Sequence, residues 1–200
     1  MGIKVGITGG IGAGKSYVAK IFQALGVPFY NADKEAKDLM NTSTGIRGAL
    51  VEAFGPSVYD VDGVLDRAYL SALVFKDKER LAQLNAIVHP VVIKHASDWA
   101  NQQTSAYSLK EAALLFESGS YKTLDYTLLV TAPMAVRIKR VTGRDGLSEQ
   151  QVVERIDKQM SDDEKCRLAD FVIINDESQP LLPQILQLHN YFLKASADSL

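Results

Sequence analysis

Ile3-Lys4-Val5-Gly6-Ile7-Thr8 runs directly into Gly9-Gly10-Ile11-Gly12-Ala13-Gly14-Lys15-Ser16, and the change of composition at residue 9 decides the reading of the chain. The first six residues are apolar and β-branched, as in a strand buried in a sheet. The next eight fit G-x-x-x-x-G-K-[ST]. Glycines permit backbone shapes that a Cβ forbids, so successive N–H groups can turn inward around phosphate oxygens. A helix starting near Lys15 adds free amides and the positive end of its dipole. In this pattern Lys15 reaches the β- and γ-phosphates, and the Ser16 hydroxyl ligates the Mg2+ that travels with a nucleotide.

Outward from this loop, the helix carries Val18, Ile21, Phe22 and Leu25 on one stripe, and Gly26 is placed to end it. Val27 to Tyr30 read as a second strand. Residues 33–103 have helical periodicity throughout, and Pro90 is placed to open a new helix there. Strands resume at about 108–115 and 126–131. Pro133 can open a following helix. Ser148 with Gln151 forms a capping box for another, carrying Val152, Ile156 and Met160. Phe171 to Ile174 read as a last strand and Leu181 to Phe192 as a closing amphipathic helix. Strands separated by helices predict a parallel sheet covered on both faces. Some seventy helical residues between two strands exceed a simple crossover and predict an inserted helical subdomain.

The 200 residues are 46% hydrophobic and 23% charged, ordinary for one soluble unit with a sizeable core. The formal net charge of −2 gives no basic field of the kind that favours nucleic acid. The single cysteine, Cys166, excludes an internal disulfide framework. It reads as a small side chain on a helix between Lys165 and Arg167. No apolar run approaches membrane-spanning length. These features predict a cytoplasmic protein.

Two further stretches discriminate among uses of a phosphate loop. Asn31-Ala32-Asp33 follows the second strand, and strand C-termini face the ligand crevice of a parallel sheet. Asp33 can there accept a proton from an acceptor hydroxyl, or cap a helix beginning at Lys34; one carboxylate can do both. Tyr126 to Arg144 holds Arg137, Lys139, Arg140 and Arg144 and no acid. Arg140 and Arg144 share one helix face and read as clamps on transferring phosphate, whereas Arg137 and Lys139 read as a solvated basic face.

Together these residues resemble the dephospho-coenzyme A kinase family. The loop Gly6 to Ser16 matches its G-[LI]-T-G-G-I-G-[SA]-G-K-S element, and Asn31-Ala32-Asp33 its D-A-D. His89-Pro90 matches its H-P step, and Ala113-Leu114-Leu115-Phe116-Glu117 its P-L-L-[FV]-E. Arg140 to Gly146, Arg155 to Met160 and Ala169 to Asp176 match three later elements. The departures are Asn31 for the first Asp, Ala113 for Pro, Tyr17 for Ser or Thr, and Glu177 where Gly is common.

The resemblance implies a P-loop kinase α/β/α fold with a five-stranded parallel sheet. It implies a core of residues 1–32, 104–137 and 166–200, a helical CoA-binding subdomain of about 33–103 and a lid of about 138–165. It implies transfer of phosphate from ATP to the 3′-hydroxyl of dephospho-CoA, in a monomer or weak homo-oligomer that binds neither nucleic acid nor membrane. Asp33, Lys15 and Arg140 take the catalytic roles. ATP falls to Gly10, Ile11, Gly12, Ala13, Gly14, Lys15, Ser16, Tyr17, Arg140, Arg144 and Asn175, the acceptor to Asp33 and His89, and the metal to Ser16. His89 could equally cap or pack a helix, and Glu117 could order magnesium-bound water or cap a turn. A shikimate or nucleoside-monophosphate kinase shares the loop and the acid but not the later elements. A GTPase-like switch finds a D-x-x-G match at Asp60 to Gly63 but no N-K-x-D anywhere. A non-catalytic nucleotide-binding module would not need Lys15, Ser16, Asp33 and Arg140 together.

Overall fold

The computed structural model describes residues 2–75 and 77–198. Five strands form one parallel sheet: β1 (Ile3–Thr8), β2 (Phe29–Asn31), β3 (Tyr107–Glu111), β4 (Tyr126–Thr131) and β5 (Phe171–Ile174). Their order is β2-β3-β1-β4-β5, with every neighbouring pair parallel. β1 is therefore central, and the loop after it leaves the middle of the C-terminal edge, where open parallel sheets bind ligands.

Alternation along the strands sorts residues to two faces. Ile3, Val5, Ile7, Tyr107, Leu109, Leu128, Val130 and Ile173 point to one face. There they pack against Val18, Ala19 and Phe22 of α1 (Lys15–Ala24) and Ile185 and Phe192 of α9 (Leu181–Asp198). Phe192 is fully buried among Tyr107, Tyr126, Phe171 and Tyr191, with ring centroids 5.2–5.7 Å away. α1 ends as its sequence dictates: Gly26 takes a φ of +84° and its N–H closes on the Gln23 carbonyl. Asp170 ties β5 to β4, its Oδ2 accepting both the Thr127 N–H and hydroxyl at 2.7 Å.

The chain forms two compact units, Met1–Asn31 with Trp99–Leu200, and Ala32–Asp98. The second is helical: α2 (Ala32–Thr42), α3 (Thr44–Phe54), α4 (Arg67–Val74) and most of α5 (Lys78–Asn101). Residues 60–63 form a tight turn, with Asp60 Oδ1 accepting from the N–H groups of Asp62 and Val64. The D-x-x-G match is thus an Asx-type turn.

Four sequence-based boundaries shift. The third strand ends at Glu111, and Leu115 and Phe116 are buried in turns, because an apolar run signals burial rather than extension. α5 runs through Pro90 instead of restarting there. The carbonyl that Pro90 cannot satisfy belongs to Ala86, which is exposed and open to water. α2 begins at Ala32, which puts Asp33 inside the first turn rather than at a cap before Lys34. After α6 (Met134–Asp145), α7 (Glu149–Ile156) stops short of Met160, and α8 (Asp162–Leu168) opens with its own capping box, Ser161 and Glu164.

On the face opposite α1 and α9, β3 buries Lys110, which donates to Ser120 Oγ. Burial pushes its ammonium down to about 8. A lysine held lower in the folded than in the unfolded chain destabilises the fold fully below pH 8, and the loss is relieved as pH rises toward 10.5. At pH 7 this amounts to something on the order of 3 kcal/mol. Lys110→Met should therefore unfold at higher urea at pH 7, and the gap to wild type should narrow between pH 8 and 10. Chemical denaturation at fixed pH values checks both.

Candidate active site

The loop from Gly9 to Gly14 reverses the chain between β1 and α1. Gly14 takes a φ of +90° at the helix N-cap, and a Cβ there would lie 2.2 Å from Asn175 Nδ2. Only glycine meets both demands. The Tyr17 and Val18 N–H groups close on the Gly14 carbonyl, so the amides just before them in α1 have no acceptor within the helix. They and Lys15 face a cavity of about 400 Å³, whose lining includes Gly10, Gly12, Tyr17, Arg140, Arg144 and Gln159.

The Lys15 ammonium pairs with Glu111 at the end of β3. Ser16 Oγ donates to the same carboxylate oxygen at 2.7 Å, and Asn31 Nδ2 to the other at 3.3 Å. The register explains the meeting: Glu111 stands beside Ile7 of β1 and Asn31 of β2. Glu111 is 3% exposed, so its charge is stabilised by Lys15 and two neutral donors instead of water. Asn31 thus stands where the family has an acid and donates to one. Sequence reading passed over Glu111. The strand-end rule that singles out Asp33 would have found it, but the strand was carried four residues too far.

Arg140 occupies the other side of the loop. Its Nη2 donates to Asn175 O and Oδ1 at 3.1 and 3.2 Å, and its Nε pairs with Glu177 at 3.2 Å. Nη1 lies 3.4 and 3.5 Å from the Gly12 and Ala13 carbonyls. Asn175 Nδ2 donates to Ala13 O at 2.8 Å. Glu177 has a φ of +68°, which explains why glycine suits this turn. Arg144, one turn beyond, is held by Asp145 and is more exposed. Its guanidinium is driven further up by that carboxylate, and Asp145 is driven down by Arg144.

Arg137 corrects the reading of a solvated face. It is 5% exposed, its Nε donates to Ile11 O at 2.9 Å, and its Nη1 pairs with Asp162 at 3.0 Å. Lys139 is exposed, as read. Glu117 pairs with fully buried Lys165 at 3.2 Å, a structural link between the turn after β3 and α8. Cys166 is exposed, yet partial desolvation of its sulfur, with Asp162 and Asp163 nearby, raises its thiol, the opposite of an activated thiolate. Trp99 packs against Tyr30, centroids 5.3 Å apart.

The loop residues other than buried Ala13 meet Tyr17, Arg140 and Arg144 at one cavity, and Asn175 supports it through Ala13. Asp33 and His89 belong to the helical unit: Asp33 is exposed in the first turn of α2, and His89 is half-buried on α5. Burial lowers the His89 imidazole below its ordinary value. Among the described residues no cluster of three or more His, Cys, Asp or Glu could hold a metal ion. Ser16 Oγ and the Glu111 carboxylate put two oxygen donors of the kind Mg2+ takes beside the loop.

Comparison with known proteins identifies the family. Residues 3–180 match the family model described as dephospho-CoA kinase. A dephospho-CoA kinase from Bacteroides fragilis is 41% identical over 189 residues, covering 94% of this chain and 92% of that one. The crystal structure of a Thermus thermophilus protein superposes with a TM-score of 0.81 at 35% identity, covering 97% of each chain. A dephospho-CoA kinase from Campylobacter jejuni superposes with a TM-score of 0.71 at 26% identity, covering 98% of this chain and 99% of that one. With its phosphate loop, parallel sheet and ordered motifs matched over nearly the whole length, the chain belongs to the dephospho-CoA kinase family.

Proposed function

We infer that the protein transfers the γ-phosphoryl group of ATP to the 3′-hydroxyl of dephospho-CoA, giving CoA and ADP, the final step of coenzyme A synthesis. The observation that carries this reading is the meeting of Lys15, Ser16 and Glu111 at the mouth of the phosphate loop, in a chain of this family. The acceptor oxygen attacks the γ-phosphorus, the bond to the β–γ bridging oxygen breaks, and the hydroxyl proton passes to Asp33. Loop amides and Lys15 hold the β- and γ-phosphates, and Arg140 and Arg144 offset charge on the moving group. Mg2+ arriving with ATP would supply positive charge against the negative charge that develops in transfer. Ser16 Oγ would ligate it, and Glu111 would orient its waters in place of the missing acid at position 31. Asn175 supports the adenine side, and His89 belongs to the acceptor side.

The helical unit takes the acceptor, and residues 138–165 act as a lid that excludes water, so that ATP is not hydrolysed unproductively. Among the described residues no helix is long and apolar enough to cross a membrane. The same reading assigns the enzyme to the cytoplasm, as a monomer or weak homo-oligomer.

ADP release with ATP and Mg2+ should be rapid with dephospho-CoA and negligible with adenosine, AMP or shikimate, the product gaining one phosphate by mass. Turnover with another acceptor would overturn the substrate. Asp33→Asn should keep ATP affinity and lower kcat roughly a hundredfold, the scale of general-base loss; unchanged kcat removes Asp33 from the mechanism. Glu111→Gln should raise the Mg2+ concentration for half-maximal turnover about tenfold, and weaken ATP binding in Mg2+ more than in EDTA. Titrations of both kinds check it.

A further inference from the structure

Ile11, the third residue of the phosphate loop, is held through both of its peptide groups by side chains from distant segments. Its carbonyl accepts from Arg137 Nε at 2.9 Å, and its N–H donates to Gln159 Oε1 at 2.9 Å. Arg137 comes from α6 and Gln159 from the link between α7 and α8. The guanidinium is itself fixed. Nη1 pairs with Asp162 Oδ1 at 3.0 Å, and Asp162 Oδ2 accepts from Thr131 Oγ1 at 2.7 Å. Arg137 also lies against the bare Cα of Gly10, where a Cβ would come within 2.3 Å of Nη2. Its side chain is 6% exposed, so this is a buried, oriented cation and not a surface contact.

We propose that Arg137 and Gln159 are positioning residues that clip Ile11 from both sides and set the phosphate loop in its ATP-ready shape before nucleotide arrives. A loop of glycine and alanine has many conformations to lose, and holding one of them in advance removes that cost from binding. The clip acts on the loop, which the proposed function assigns to ATP, so its effect falls on the donor. Both clip residues sit on or beside the segment 138–165. This inference rests on the loop being the ATP site.

The test measures ATP affinity by calorimetry on the full chain, together with KM for ATP and for dephospho-CoA. Gln159→Ala removes one half of the clip without burying a charge. Arg137→Met removes the other, and the double variant Arg137→Met with Asp162→Asn takes out the whole ion pair should the single variant fail to fold. Each should weaken ATP binding and raise its KM about tenfold, the size of one hydrogen bond with a charged or strongly oriented partner. KM for dephospho-CoA should change less than twofold. Arg137→Lys should recover little, because an ammonium lacks the fork that serves Ile11 and Asp162 together. A lowered melting temperature with unchanged ATP affinity, in Gln159→Ala or in either folded Arg137 variant, would overturn the clip. Absence of ATP binding in the wild type would instead overturn the ATP site itself.

Discussion

A loop made almost wholly of glycine cannot hold its own shape, and this constraint organises the residues around it. The segment Gly9 to Gly14 has no long side chain except Ile11, and two of its residues take positive φ. Its conformation is fixed by groups from elsewhere: Arg137 and Gln159 on Ile11, Asn175 on Ala13, and Arg140 across Gly12, Ala13 and Asn175. Arg137, Arg140 and Asn175 donate to carbonyls that turn outward, and Gln159 accepts from the Ile11 N–H. The amides that face the cavity are left free for phosphate.

The same economy governs charge. Lys15 is largely buried, and the carboxylate of Glu111 serves as its counterion. Ser16 and Asn31 complete the shell without adding charge. A second acid at position 31 would put two carboxylates beside one lysine; an amide there donates and keeps the pair balanced. The departure at Asn31 is therefore a compensated one. Another departure, Glu177, occupies a left-handed position and offsets part of its strain through the ion pair with Arg140. That pair is half exposed, so its contribution is small.

Much of the fold was legible because its signals are local. The strand before the loop, the Gly26 helix end and the Ser148–Gln151 capping box all depend on a few neighbouring residues. The Ser161–Glu164 box was equally local and went unread, which merged α7 with its successor. Pro90 misled because its steric rule names the free carbonyl but not whether that carbonyl meets water. The end of β3 misled because Leu114 to Phe116 are apolar in a strand or in a buried turn alike.

By itself the sequence determined a loop of phosphate-binding pattern between β1 and α1, since glycine placement and the Lys15-Ser16 pair require only local geometry. It also determined, through ordered motifs, the family. Tertiary structure alone decided which charges face one another. Lys15 meets Glu111 across 96 residues and Arg137 meets Ile11 across 126. Such partners are chosen by strand order and register, which place Glu111 beside Ile7 and bring α6 behind the loop. A buried ion pair depends on which distant group closes the site to water, and no periodicity along the chain encodes that.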